Sequence, residues 1–224
     1  MGNSPTVLVA SDDAFELATL SAALRLQSIN VVAEASTDEI ADNLYKFLSP
    51  QVVLIDLQFA GAEALKLVNK FRKINSSLGV VLMTACPDLR LLGLLEKQIP
   101  QGSQIILKKS IADLSVVSHA IVRSIAAVDA KEKMSWVDSH GSLHENSFAS
   151  ILNEFTDIQI ETFRLLAQGL SNSEIAKVRF VSEKSVEQIV ARIAQHLRVL
   201  PDRTQNLRVV LTGEYFKWIG APRH

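Results

Sequence analysis

One cysteine, Cys86, stands in a chain of 224 residues, so neither an internal disulfide nor a Cys-rich zinc site can be built from it, and a reducing compartment is expected. No apolar run reaches the about 18 to 20 residues of a membrane span. The N-terminus lacks the basic start and apolar core of a signal peptide, and the expected location is the cytoplasm, with no membrane partner. Charge of one sign is missing too. Lys and Arg number 23 against 24 Asp and Glu, so a nucleic-acid partner must be held by a local patch rather than by the whole surface.

What is present is apolar and periodic. Hydrophobic residues make up 48% and charged residues 21%, the balance of globular domains with true cores, and the length suits two of them. In the first half, short apolar runs alternate with helical spacing. Thr6 to Ala10, Val31 to Ala33, Gln51 to Asp56, Val80 to Thr84 and Ile105 to Leu107 read as strands. Between and after them, Phe15 to Asn30, Thr37 to Leu48, Ala64 to Ile74, Asp88 to Lys97 and Ile111 to Val128 read as helices. Strict alternation predicts a doubly wound, five-stranded parallel sheet over residues 1–128.

Polar residues close these strands: Asp12 and Asp13 after the first, Asp56 at the third, Thr84 at the fourth, Lys108 or Lys109 at the fifth. Open α/β sheets bind ligands at the carboxyl ends of their strands, so the groups are expected to converge. Any one such aspartate is more often a helix cap. Together, carboxylates that suit Mg²⁺, a hydroxyl and an ammonium make a set able to accept a phosphoryl group.

Residues 129–150 are polar and interrupted by glycine, and predict a linker. His140 and His144 are spaced for one metal if helical, but Gly141 between them favours a solvated loop.

Residues 151–224 read as four helices. Thr156 with Gln159, and Ser171 with Glu174, form capping boxes around a stop at Gly169, and Leu170 with Ile175 forms a hydrophobic staple. Ser182 caps a third helix with Val186, Ile189, Val190, Ile193 and Leu197 on its apolar face, and a fourth helical segment spans about Gln205 to Trp218. Short helices joined by tight turns predict a helix-turn-helix and hence double-stranded DNA as a partner. Lys177, Arg179, Lys184, Arg192, Arg198 and Arg203 flank the third helix as phosphate anchors.

Two resemblances sharpen this. Residues 6–128 resemble the flavodoxin-like receiver domain of bacterial two-component response regulators, through Val7-Leu-Val-Ala-Ser-Asp-Asp13, Val52-Val-Leu-Ile-Asp56, Val81-Leu-Met-Thr84 and Ile106-Leu-Lys-Lys-Ser110. The resemblance implies Asp56 as phosphoacceptor, Asp12 and the main-chain carbonyl of Gln58 as Mg²⁺ ligands beside Asp56, Thr84 and a lysine as phosphoryl-binding groups, and a histidine kinase as partner. Lys108 and Lys109 both remain candidates for that lysine. Ser11 stands where receivers carry a first acid, with Asp13 the alternative supplier; Phe59-Ala60 replaces Met-Pro, Ala64 replaces a glycine, and Ile105 and Ile106 occupy the place of an aromatic switch residue.

Residues 155–209 look like the DNA-binding domain of the LuxR/NarL/FixJ type, through Phe155-Thr156, Gln159, the run Arg164 to Ala176, and Val181-Ser-Glu-Lys-Ser-Val186. That implies a recognition helix over Ser182 to Leu197, with Ser182, Lys184, Ser185, Glu187 and Gln188 facing DNA. It further implies a homodimer through Arg203 to Trp218 and an inverted-repeat operator. Glu187 departs from the lysine usual there. A carboxylate in the groove repels phosphate yet can accept from cytosine N4, and Gln188 can read adenine. The expectation is a transcriptional regulator and not an enzyme. An orphan regulator that takes no phosphate is the alternative, as is an interaction or phosphotransfer adaptor.

Overall fold

A computed structural model describes residues 4–59, 63–137, 152–199 and 204–219. Contacts divide the chain into two compact units. One holds the residues up to Thr84 and resumes at Glu96; the other joins Ala85–Leu95 to the C-terminal helices.

The first unit is a parallel sheet in the order β2-β1-β3-β4-β5-β6. Its strands are β1 (Thr6–Ala10), β2 (Asn30–Ala35), β3 (Val52–Asp56), β4 (Gly79–Thr84), β5 (Gln104–Leu107) and β6 (Ser135–Val137). Every residue of β3 and β4 is buried, as befits central strands covered on both faces. Helices α1 (Ala14–Leu26) and α4 (Leu114–Asp129) send Leu17, Leu20, Leu24, Val117 and Ile121 into a core with Val7, Val9, Leu54 and Met83. Helices α2 (Asp38–Leu48) and α3 (Ala64–Ile74) also belong to this unit, where Tyr45 stacks on Phe71 with ring centroids 3.9 Å apart.

Five expected strands are joined by a sixth. Ser135–Val137 falls within the stretch read as linker and pairs in parallel with β5, Ile105 opposite Trp136. His140 and His144 lie outside the described residues.

The expected helix over Asp88 to Lys97 is replaced by two 3-10 turns, Leu89–Leu92 and Glu96–Gln98. Asp88 caps the first through Arg90 N–H, and Gly93 ends it at φ 72°, a left-handed backbone that glycine adopts without steric cost. The reason is tertiary. Cys86 and Leu91 are fully buried in the core of the second unit, among Leu152, Phe155, Ile160, Phe163, Val190, Leu211 and Trp218.

That second unit carries α5 (Asp157–Ala167), α6 (Asn172–Arg179), α7 (Glu183–His196) and α8 (Leu207–Ile219). Thr156 and Gln159 form the complete capping box. Ser171 accepts from Glu174 N–H, while the Glu174 carboxylate pairs with Lys177 at 2.7 Å. No described helix is long and apolar enough to cross a membrane.

Candidate functional sites

The parallel order reverses between β1 and β3, and the crevice above that reversal is where α/β sheets bind ligands. Ser11 follows β1 and is fully buried, Asp56 ends β3 at 2% exposure, and Thr84 ends β4 fully buried. Lys108 enters from the 3-10 turn after β5. Its ammonium donates to Asp56 Oδ2 at 2.5 Å and to Glu16 Oε2 at 2.9 Å, so Lys108 is the one of the two lysines seen in contact with Asp56. Lys109 is exposed. The second Asp56 oxygen accepts from Gln58 N–H at 2.9 Å. Burial pushes the Asp56 carboxyl above the ordinary carboxylate range, against the opposing pull of Lys108.

Glu16 received no role from the sequence. It sits in the first turn of α1, turned back over the strand end, where its carboxylate also accepts from Ser11 Oγ at 2.8 Å. The detectable signal was Ser11 itself: a hydroxyl in place of an acid leaves an inward lysine with one fewer carboxylate to pair with. Asp13, the proposed substitute acid, caps α1 through Glu16 N–H at 2.8 Å, and Asp12 is exposed. Among the described residues, no three His, Cys, Asp or Glu side chains gather into a metal-holding group. Both Asp56 oxygens already have partners of their own. A Mg²⁺ ion at Asp56 would therefore have to compete with the Lys108 ammonium for the carboxylate.

In the helical unit, α6, its turn and α7 are set by local chemistry. Phe180 takes φ 55° as α6 ends, and Val181 N–H closes back on Ala176 O at 3.0 Å. Ser182 then caps α7 through Ser185 N–H at 3.1 Å. Val186, Val190, Ile193 and Ala194 face the core, leaving Lys184, Glu187, Gln188 and Arg192 exposed on the other side. These four fall at helical spacing along one stripe, open to a ligand.

Not every expected anchor is placed for that role. Arg179 is tied inward, to Glu161 at 3.1 Å and Thr162 Oγ1 at 2.8 Å, with its side chain only 8% exposed. Lys177 is exposed and paired with Glu174, which raises its pKa through their hydrogen bond. Arg198 is exposed after α7, and Arg203 lies outside the described residues. Two arginines the sequence did not single out organise the unit. Arg90 bridges Asp88, Asp157 and the carbonyls of Leu152 and Phe155. Arg208 ties α8 to Asn172 and to the Leu170 carbonyl.

Residues 153–210 match the model of the bacterial regulatory proteins of the luxR family. The chain is 27% identical over 211 residues to the transcriptional regulatory protein LnrK of Bacillus subtilis, covering 89% of this chain and 93% of LnrK. It is 26% identical over 183 residues to the nitrate/nitrite response regulator protein NarL of Escherichia coli K12, covering 76% and 78% of the two chains. Its fold resembles that of RcsB from Salmonella enterica serovar Typhimurium, solved on a promoter with phosphomimetic BeF3⁻, at TM-score 0.55 and 21% identity over 97% of this chain and 100% of that one.

Proposed function

Since this chain is a response regulator of the NarL/LuxR family and a DNA-binding transcriptional regulator, we propose that it reads double-stranded DNA with α7 as the helix in the major groove. The observation that carries this is the exposed stripe of Lys184, Glu187, Gln188 and Arg192, opposite a fully packed apolar face. Lys184 and Arg192 serve phosphate or guanine, Gln188 suits adenine N6 and N7, and Glu187 suits cytosine N4. Ser182 and Ser185, at the amide end of α7, supply neutral contacts to a phosphate. Lys177 and Arg198 complete the anchor set.

The relative solved on a promoter supports DNA as the partner, and α8 supports a homodimer. Leu211, Tyr215 and Trp218 are spent on the unit's own core, but Leu207 and Val209 are exposed, Val209 at 69%. A twofold dimer calls for an inverted-repeat operator. Fluorescence anisotropy on genomic fragments tests the reading: binding is strongest at inverted repeats and weakens steeply with salt. Equal binding to all fragments refutes it.

Control is assigned to the Asp56 site. The carboxylate accepts a phosphoryl group, supplied by a histidine kinase or a small phosphodonor, while the Lys108 ammonium and the Thr84 hydroxyl meet the charge on the transferred oxygens. Incubation with acetyl phosphate produces a mass gain that Asp56→Asn abolishes. Absence of that gain leaves DNA reading intact and makes the regulator one that works without phosphate.

A further inference from the structure

The substitution of Ser11 and the position of Glu16 belong together. A serine hydroxyl donates a hydrogen bond, which an ionised acid at the same place cannot do. Ser11 Oγ spends its proton on Glu16 and in turn accepts from Asp13 N–H at 3.3 Å. Asp13 fixes the first turn of α1 by accepting from Glu16 N–H, so the Glu16 side chain returns over the strand end. The result is one ammonium between two carboxylates, with side-chain exposures of 15% for Lys108, 18% for Glu16 and 3% for Asp56. An aspartate at position 11 would put a third negative charge beside Glu16, and like charges at that range repel.

We propose that Glu16 is a positioning residue of the Asp56 site: it supplies the carboxylate that Ser11 lacks, and by pinning Lys108 makes that ammonium, rather than a divalent cation, the resident counter-charge. Two carboxylates and one ammonium leave a site of net charge −1. Removing the ammonium takes the site to −2, and adding an aspartate at position 11 does the same. A divalent cation then gains what it lacks in the wild type, a set of uncompensated oxygens. The charge-assisted bonds from Lys108 are the competitor it must otherwise displace.

The test uses the full chain and its thermal unfolding in EDTA and across millimolar Mg²⁺, since a cation that binds only the folded state raises the midpoint by mass action. No phosphodonor is present, so the outcome is independent of whether Asp56 takes a phosphoryl group. The wild type shows no saturable, Asp56-dependent rise. Lys108→Met acquires one, with apparent Mg²⁺ affinity up by about tenfold or more, and Lys108→Met with Glu16→Gln loses most of it. Ser11→Asp acquires the rise with Lys108 still in place, and this variant carries the test if Lys108→Met does not fold. A saturable rise in the wild type that Asp56→Asn abolishes overturns the proposal. So does a Lys108→Met response that Glu16→Gln leaves at full size.

Discussion

Truncation of Leu91 tests the helical unit apart from the sheet unit. Leu91 lies seven residues beyond Thr84 in sequence, yet it is fully buried in the core of the helical unit, and its carbonyl accepts from the Tyr215 hydroxyl at 2.5 Å. Tyr215 in turn meets Phe163 edge-on at 5.3 Å. Leu91→Ala trims its buried isobutyl side chain to a methyl within this core, at a cost of about 2–5 kcal/mol. With a urea slope of about 2 kcal/mol per molar, the unfolding midpoint of the helical unit falls by about 1–2.5 M. The two tryptophans make the assay specific. Trp218 is 4% exposed in α8, and Trp136 is in β6 beside β5. In a Trp136→Phe background, Leu91→Ala moves the Trp218 transition; in a Trp218→Phe background, the Trp136 transition stays. Leu95→Ala, at a side chain 51% exposed, serves as the mild control. A shift confined to Trp136 would refute the assignment of Ala85–Leu95 to the helical core.

Other changes follow the same logic. The Cys86 thiol is fully buried and pushed up to about 12 by desolvation, so at neutral pH it stays unreactive toward a disulfide reagent until the helical unit opens; rapid labelling of the folded chain contradicts this. Thr156→Ala breaks the capping box of α5 and lowers stability by about 1 kcal/mol, read in urea through Trp218. Gly102 sits at φ 74°, and a Cβ there would lie 2.7 Å from Val128 N, so Gly102→Ala destabilises the sheet unit by more than about 1 kcal/mol in the Trp136 transition.

The strand-helix alternation was legible because central strands such as Val52–Asp56 are continuously apolar and each helix keeps its own period. That a lysine after β5 would meet Asp56 followed from strand ends, but which of Lys108 and Lys109 it was did not. Asp88–Lys97 misled because its leucines were counted toward a local helix. Sequence spacing shows that Leu89 and Leu91 are apolar but not which core receives them, and here Leu91 and Cys86 serve residues more than 60 positions away. β6 is three residues long, too short to show a period. Glu16 was hidden because a first-turn glutamate is ordinary in a helix; only its partner Lys108, 92 residues on, gives it a role. Arg179 illustrates the converse. Its place beside the turn suggested phosphate, but Glu161 on α5 claims it.

The most direct measurement is selection of bound sites from a random DNA pool by the wild type and by Glu187→Lys. The stripe on α7 predicts an inverted repeat enriched by both proteins, with changed base preference where Glu187 reaches the groove and tighter binding at low salt from the added positive charge. The same motif at the same affinity for both would place α7 away from the bases and contradict the account.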